Sequence, residues 1–303
     1  MKRIVVIGSL NMDLVAKVDH IAQPGETILA SDFEKVPGGK GANQAYGIGK
    51  LGGSVSMLGM VGRDDDGIAL LNNLSGVGVN TADIRICDNA PTGTALIAVD
   101  SEGRNSITVI PGTNKMVDAA YIDKHRAVLE EADIVILQLE IPLETVMYAA
   151  HLAKSMGKYV ILDPAPAIPD LPKEIYRNVD LIKPNETELG ILTGTSLEDT
   201  DYLKKIGILH RQGASDVVVS LGADGVILSR REGDDKQICG RSVRAVDTTA
   251  AGDSFLSGLA VKLAEGQDME DAIDYAQRVA SIAVTRKGAQ PSIPTAEEVD
   301  RTF

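Results

Sequence analysis

The 303-residue chain is 44% hydrophobic and 24% charged, enough apolar matter for one large globular domain. A formal net charge of −13 argues against nucleic acid as a partner, since neutralising a phosphate backbone takes a basic face. An anionic ligand must then be held by local donors and a bound metal ion, because global charge does not draw it in.

The first strand is expected at residues 4–8, after Met1-Lys2-Arg3. This apolar run is too short for a signal peptide, and Asn11 and Asp13 interrupt it. Both polar residues fall just past the strand's carboxyl end, where open α/β sheets bind ligands. They suit sugar hydroxyls, or else form an ordinary Asx turn. Residues 15–19 and 27–36 read as extended and polar-alternating. Residues 94–99 and 106–110 flank the turn Ser101-Glu102-Gly103-Arg104 and read as a β-hairpin. A small isolated sheet is marginal in water. These strands, within about 14–37 and 93–111, are therefore expected to form a lid over a cleft or against a second subunit. From about residue 132 the pattern changes. Strands are expected at 132–139, Tyr159–Leu162, 180–183 and 217–221. Helices are expected at 143–156, through Glu188 and Leu192, at 201–212, at Ala251–Glu265 and at 269–286. This alternation predicts a single α/β domain over 1–303, with a mainly parallel sheet and helices on both faces. No apolar run is long enough to span a bilayer, so no membrane partner is expected. Cys87 and Cys239 make no disulfide framework, which favours the cytoplasm. The four histidines show no HExxH spacing, which argues against a zinc hydrolase.

Several stretches carry candidate chemistry. Gly38-Gly39-Lys40-Gly41-Ala42-Asn43-Gln44-Ala45 is a glycine-rich turn before a helical pattern. It lacks the spacing of a P-loop and that of a dinucleotide fingerprint. Its glycines let a ligand approach the backbone, with Lys40 and Asn43 as polar fingers. Glu140 ends a buried strand and either holds a ligand hydroxyl or caps the helix that follows. Asn185 and Glu188 share a helix face and either hold hydrated Mg²⁺ or form an N-cap box. Ser220-Leu221-Gly222-Ala223-Asp224-Gly225 is a tight turn over a flat ring or a plain hairpin turn. The most informative stretch is Ala250-Ala251-Gly252-Asp253, which opens the apolar helical pattern of Phe255, Leu256, Leu259, Ala260 and Leu263. Small residues leave the first-turn N–H groups bare, and the helix dipole adds positive charge there. An aspartate in that turn makes sense if a hydroxyl must lose a proton beside a phosphoryl group, as in a kinase. A capped helix start is the plain alternative.

In this order, GGKGANQA, LQLEIPLE, DPAPA, KPNETE, SLGADG, VDTTAAGDSF and AVTRKGAQPSIP resemble the ribokinase family of carbohydrate kinases over essentially the whole chain. Ala250 stands where the family usually carries Gly, and Asp163 where many members carry Asn. The resemblance implies a three-layer α/β fold with a small β-sheet lid. It implies transfer of the γ-phosphoryl group of ATP to the 5-hydroxyl of D-ribose, with a sibling sugar or nucleoside kinase as the alternative. An aromatic content of 3% and the absence of Trp lean towards a bare sugar. Asp253 would be the catalytic base, expected to stay ionised at the helix end without a raised pKa. Ala250, Ala251 and Gly252 would form the anion hole. Asn11, Asp13, Gly39, Lys40, Asn43, Glu140 and Asp253 would hold ribose. Asn185, Ser220, Gly222, Gly225, Gly252 and Gln277 would line the nucleotide site, with Glu188 acting on Mg²⁺ indirectly. Asp247, Thr249, Ala283, Arg286, Gly288 and Ser292 would hold an activating potassium ion. The family also implies a homodimer joined through the lid.

Overall fold

Short aliphatic runs such as Ile4-Val5-Val6-Ile7 become strands because both of their faces are buried. The computed structural model describes residues 1–303. Its strands in chain order are β1 (Ile4–Ile7), β2 (Asn11–Lys17), β3 (Asp32–Gly38), β4 (Val55–Leu58), β5 (Met60–Gly62), β6 (Arg85–Cys87) and β7 (Gly93–Val99). They continue as β8 (Asn105–Ile110), β9 (Ile134–Leu137), β10 (Tyr159–Leu162), β11 (Leu181–Ile182), β12 (Asp216–Ser220), β13 (Val226–Arg230) and β14 (Lys236–Ile238). The helices are α1 (Lys40–Lys50), α2 (Asp65–Ser75), α3 (Ala119–Lys124), α4 (Arg126–Glu131), α5 (Leu143–Ser155) and α6 (Lys173–Tyr176). After them come α7 (Glu186–Thr193), α8 (Tyr202–Gln212), α9 (Ala251–Glu265), α10 (Met269–Ala283) and α11 (Ala296–Thr302).

The central sheet runs β14-β13-β12-β11-β10-β9-β1-β4. It is parallel from β4 to β12, and β13 and β14 add antiparallel strands at one edge. Alternate residues feed two cores. Ile4, Val6, Ile134 and Ile136 point into one, and Val5, Ile7, Val135 and Leu137 into the other. The mainly parallel α/β sheet expected from the sequence is therefore present.

A second sheet runs β3-β2-β7-β8. Its β2 begins at Asn11, so Asn11 and Asp13 form no Asx turn; they are alternate residues on one face of a strand. The extended segment expected at 27–36 is shifted, because the strand is Asp32–Gly38. The last long helix stops at Ala283, short of the expected residue 286. The Val284 carbonyl, which would accept from Gly288 in a longer helix, accepts instead from the Val246 and Asp247 N–H groups. The Gly288 N–H then donates to Asp247 Oδ2 at 2.9 Å.

Gly39 joins the second sheet to α1 with φ +86°, and a Cβ there would lie 2.8 Å from the Asn11 nitrogen. Gly39→Ala is expected to destabilise the fold by about 3 kcal/mol, from left-handed strain plus a backbone collision. Denaturant unfolding checks this, and an unchanged midpoint would count against the tight contact between these two segments.

Candidate active site

Helix α9 opens on Ala250, whose left-handed backbone (φ 58°) reverses the chain and whose methyl offers no cap. The Ala251 N–H is taken by the Thr248 carbonyl at 3.1 Å. The Ala250, Gly252 and Asp253 N–H groups have no protein acceptor, so of the three amides expected to receive an anion only Ala251 is occupied, and Asp253 adds a further open donor. Ala250, Ala251, Gly252 and Asp253 line a cavity of about 590 Å³. Lys40, Asn185, Glu188, Ser220, Gly222, Gly225 and Gln277 line the same cavity.

The remaining sugar-set residues gather beside it at the start of α1. Glu140 Oε2 accepts from Ser9 Oγ at 2.5 Å and from the Lys40 N–H at 2.9 Å. It thus fixes the N-terminus of α1 and leaves the following helix, α5, without a side-chain cap. Asn11 Oδ1 accepts from Asn114 Nδ2 at 2.7 Å. Asp13 lies close to Glu140 and makes no hydrogen bond through its carboxylate; burial first, and then the Glu140 charge, push its pKa up to about 7.

Asp253 is 5% exposed and sits in a polar network. Asn43 Nδ2 donates to its Oδ2 and Gln44 Nε2 to its Oδ1, each at 3.0 Å. Gln44 Nε2 also donates to Asp163 Oδ2 at 2.8 Å, while Gln44 Oε1 accepts from Gln138 Nε2. Gln290 Nε2 donates to Asn43 Oδ1, which turns the Asn43 amide donor towards Asp253. Burial pushes the Asp253 carboxyl above its ordinary value; the Lys40 ammonium opposes this and the Asp163 charge adds to it. This corrects the expectation of an unraised pKa: the dipole and the donors do not cancel desolvation. For Lys40, burial alone would lower the pKa. The carboxylates of Asp253, Asp163, Glu140 and Glu188 outweigh it and hold the ammonium above its ordinary range.

Asn185 and Glu188 do form the capping box: Asn185 Oδ1 accepts from the Glu188 N–H and Glu188 Oε2 from the Asn185 N–H, each at 2.8 Å. Glu188 Oε1 keeps no protein partner. The turn over Gly222 and Gly225 is both a β-hairpin and part of the cavity wall. Gln277 is buried with Nε2 unpartnered. Of the potassium set, Asp247, Thr249 and Gly288 meet directly, since Asp247 Oδ1 accepts from Thr249 N and Oγ1 and Oδ2 from Gly288 N. Burial raises the Asp247 pKa, but those hydrogen bonds win and hold it below the usual carboxylate range, a charge state that suits a hard cation. The Arg286 guanidinium is turned to Glu298 at 2.9 Å and the Ser292 hydroxyl to the Ala289 carbonyl at 2.7 Å. The Ala283 carbonyl accepts from the Arg286 N–H. These three therefore offer a cation main-chain oxygens or a second lone pair.

Sequence reasoning missed Ser9, Gln44, Asp163 and Lys183 as site residues. Gln44 shares a helix face with Lys40, four residues earlier, which was a readable signal. Lys183 follows a buried strand, as Glu140 does.

A model of the pfkB family of carbohydrate kinases matches residues 1–296. The chain belongs to the pfkB family. It is a carbohydrate kinase, a phosphotransferase that acts on a sugar hydroxyl. Among pfkB relatives, a ribokinase of Bacillus subtilis is 40% identical over 301 residues, covering 99% of each chain. A deoxyribokinase of Salmonella typhi is 36% identical, covering 97% of this chain and 96% of the relative. The solved structure of Arabidopsis thaliana ribokinase, complexed with ribose and ATP, is 35% identical with a TM-score of 0.93, covering 99% and 98%. The fold of this pfkB member is ribokinase-like.

Proposed function

We propose that this carbohydrate kinase phosphorylates D-ribose at its 5-hydroxyl with ATP. The observation that carries this reading is a buried carboxylate, Asp253, in the same helical turn as two unpartnered amides. A hydroxyl meeting Asp253 loses its proton as the new P–O bond forms, and the bond to the departing ADP breaks in the same step. The transition state is loose, so positioning and charge stabilisation carry most of the catalysis. Asn43 and Gln44 fix the carboxylate; the Gly252 and Asp253 amides receive charge on the transferring group. Asn11, Asp13, Gly39, Lys40 and Glu140 bind the sugar, and Asn185, Ser220, Gly222, Gly225 and Gln277 the nucleotide. Glu188 would hold hydrated Mg²⁺, which would supply neutralisation of phosphate charge. Asp247, Thr249, Ala283, Arg286, Gly288 and Ser292 would hold a potassium ion, which would order the loop before α9 without touching substrate. Strands β2, β3, β7 and β8 act as a lid. Cross-strand register puts Ile107 and Val109 on the same face as Asp13. Both are half-exposed, which supports closure over the sugar and pairing of two lids in a homodimer. The cytoplasm is the proposed compartment.

ADP release over a panel of ribose, 2-deoxyribose, ketosugars and nucleosides, with and without KCl, tests the assignment. Ribose should give the highest kcat/KM and potassium should raise it. A nucleoside preferred over every sugar would overturn the acceptor assignment.

Asp13 gives a pH prediction. Its free-protein pKa is about 7 against an ordinary 3.8. Sugar hydroxyls donating to it favour the carboxylate, so ribose affinity should rise with pH through about 7 and then level. Binding at pH 6 should release a proton, seen by calorimetry as heats that differ between buffers. For folding the sign is opposite. A raised acid stabilises the fold below pH 3.8, and that contribution is lost as pH climbs through about 7. Asp13→Asn should therefore melt higher than wild type at pH 8 while binding ribose poorly.

A further inference from the structure

Asn114 is buried and ties together segments more than a hundred residues apart. It lies in the short 3₁₀ helix Gly112–Met116 that follows β8. Its Oδ1 accepts from the Leu10 N–H at 3.0 Å. Its Nδ2 donates to the Leu10 carbonyl at 3.2 Å and to Asn11 Oδ1 at 2.7 Å. A main-chain N–H can only donate, so Leu10 fixes which end of the Asn114 amide faces it. The Asn114 NH₂ must then face Asn11, and Asn11 must present its oxygen. A Cβ on Gly93 would lie 2.2 Å from Asn114 Nδ2 and 2.3 Å from Asn11 Oδ1, so the two amides meet in space that only a glycine leaves open. The consequence falls on the other end of Asn11. Its Nδ2 is turned away from Asn114, donates to no protein group, and is not sealed in the interior. The cross-strand partners of Asn11 are Gly38 and Gly93, so no side chain of either neighbouring strand stands beside it. Asp13 lies on the same face of β2 with its carboxylate unpaired. A donor beside an acceptor suits a polyol, whose hydroxyls both give and take hydrogen bonds.

We propose that Asn114 is a positioning residue for the sugar site: it holds the Asn11 amide with its NH₂ towards the sugar, so that ribose meets a donor beside the Asp13 acceptor. The inference rests on the sugar reading above and adds to it a residue that never touches the sugar. Asn114 acts only by orienting another amide. A wrongly turned Asn11 would set a second acceptor next to Asp13, and a sugar hydroxyl that must accept a hydrogen bond would find no donor there.

The test is a double-mutant cycle read by D-ribose calorimetry at pH 8. Asn114→Asp keeps the size of the side chain and still accepts from the Leu10 N–H, but its carboxylate offers no donor, so Asn11 should turn its NH₂ to it. Ribose affinity should fall about tenfold, with KM rising alike, kcat changed less than about threefold and ATP affinity unchanged. Asn11→Ala should cost about tenfold in wild type and less than about twofold in the Asn114→Asp background, because the donor has already been lost there. A merely structural asparagine would give losses that multiply. The Asn11 side-chain NH₂, followed by ¹⁵N NMR without sugar, should exchange freely with solvent in wild type and become protected in Asn114→Asp. Unchanged ribose affinity, or losses that multiply, overturns the proposal. Should Asn114→Asp fail to fold, Asn11→Asp decides. Its carboxylate still accepts from Asn114, so the melting temperature should hold while ribose affinity falls about tenfold, and unchanged affinity would overturn the assignment. Wild type that ignores ribose, with the Asn11 NH₂ still protected in Asn114→Asp, would sink only the ribose reading.

Discussion

Asp253→Asn is expected to lower kcat by about 10³-fold while leaving ribose binding within a few-fold of wild type. General-base removal costs about 10²–10⁴ in rate. The geometry adds a second effect. Asp253 accepts through both oxygens, from Asn43 and from Gln44. An asparagine has one acceptor, so its NH₂ must face one of those donors. That mismatch costs about 1–3 kcal/mol, partly offset by removing a buried charge. Rate loss and stability loss are then separable by measuring kcat well below the melting point. A pH profile gives an independent readout. The wild-type acid limb should be set by the buried carboxyl, whose pKa burial raises, and activity should fall as pH drops through it. The variant should lack that limb. Near-wild-type turnover in the variant refutes the base assignment.

Gly252→Ala is expected to lower kcat by about 10²-fold with no loss of stability. Alanine is the better helix former by about 1 kcal/mol, so the first turn of α9 should hold. The added methyl would lie 3.0 Å from Lys183 Nζ, the mobile end of a long side chain, and would meet no other group beyond its own helix turn within 4 Å. The fold can absorb it, but the methyl enters the space where phosphate must meet the open amides. Loss of one such donor typically costs 10²–10³ in rate. Steady-state kinetics paired with thermal unfolding checks both halves. A variant with full activity would mean that the phosphate does not approach this turn.

The main sheet was legible because its strands are buried on both faces. Ile134-Val135-Ile136-Leu137 and Tyr159-Val160-Ile161-Leu162 read as uninterrupted apolar runs with turns between them. The lid was legible only in outline. Its strands β3 and β8 are largely exposed, so no core face pins their ends in the sequence, and β3 was placed several residues too early. The end of α10 goes with contacts to a distant segment, the Val284 carbonyl accepting from the Val246 and Asp247 N–H groups and Asp247 capturing the Gly288 N–H 41 residues on, which no local pattern announces. The site followed the same logic. Clusters contiguous in sequence, at 38–45 and 250–253, stood out by their small residues. Contacts across the fold did not: Gln44 meets Asp253 at a separation of 209 residues, and Gln290 meets Asn43 at 247. The raised Asp253 pKa escaped for that reason too, since burial is a property of packing α9 against α1.

The central claim is that an alcohol is activated where the nucleotide's terminal phosphate arrives. Phosphorus NMR of the protein incubated with Mg²⁺, ATP and D-ribose tests it most directly. The expected result is one phosphomonoester on the ribose 5-oxygen for each ADP formed, and no free phosphate without sugar. ADP accompanied only by inorganic phosphate, or no sugar ester at all, would contradict the account.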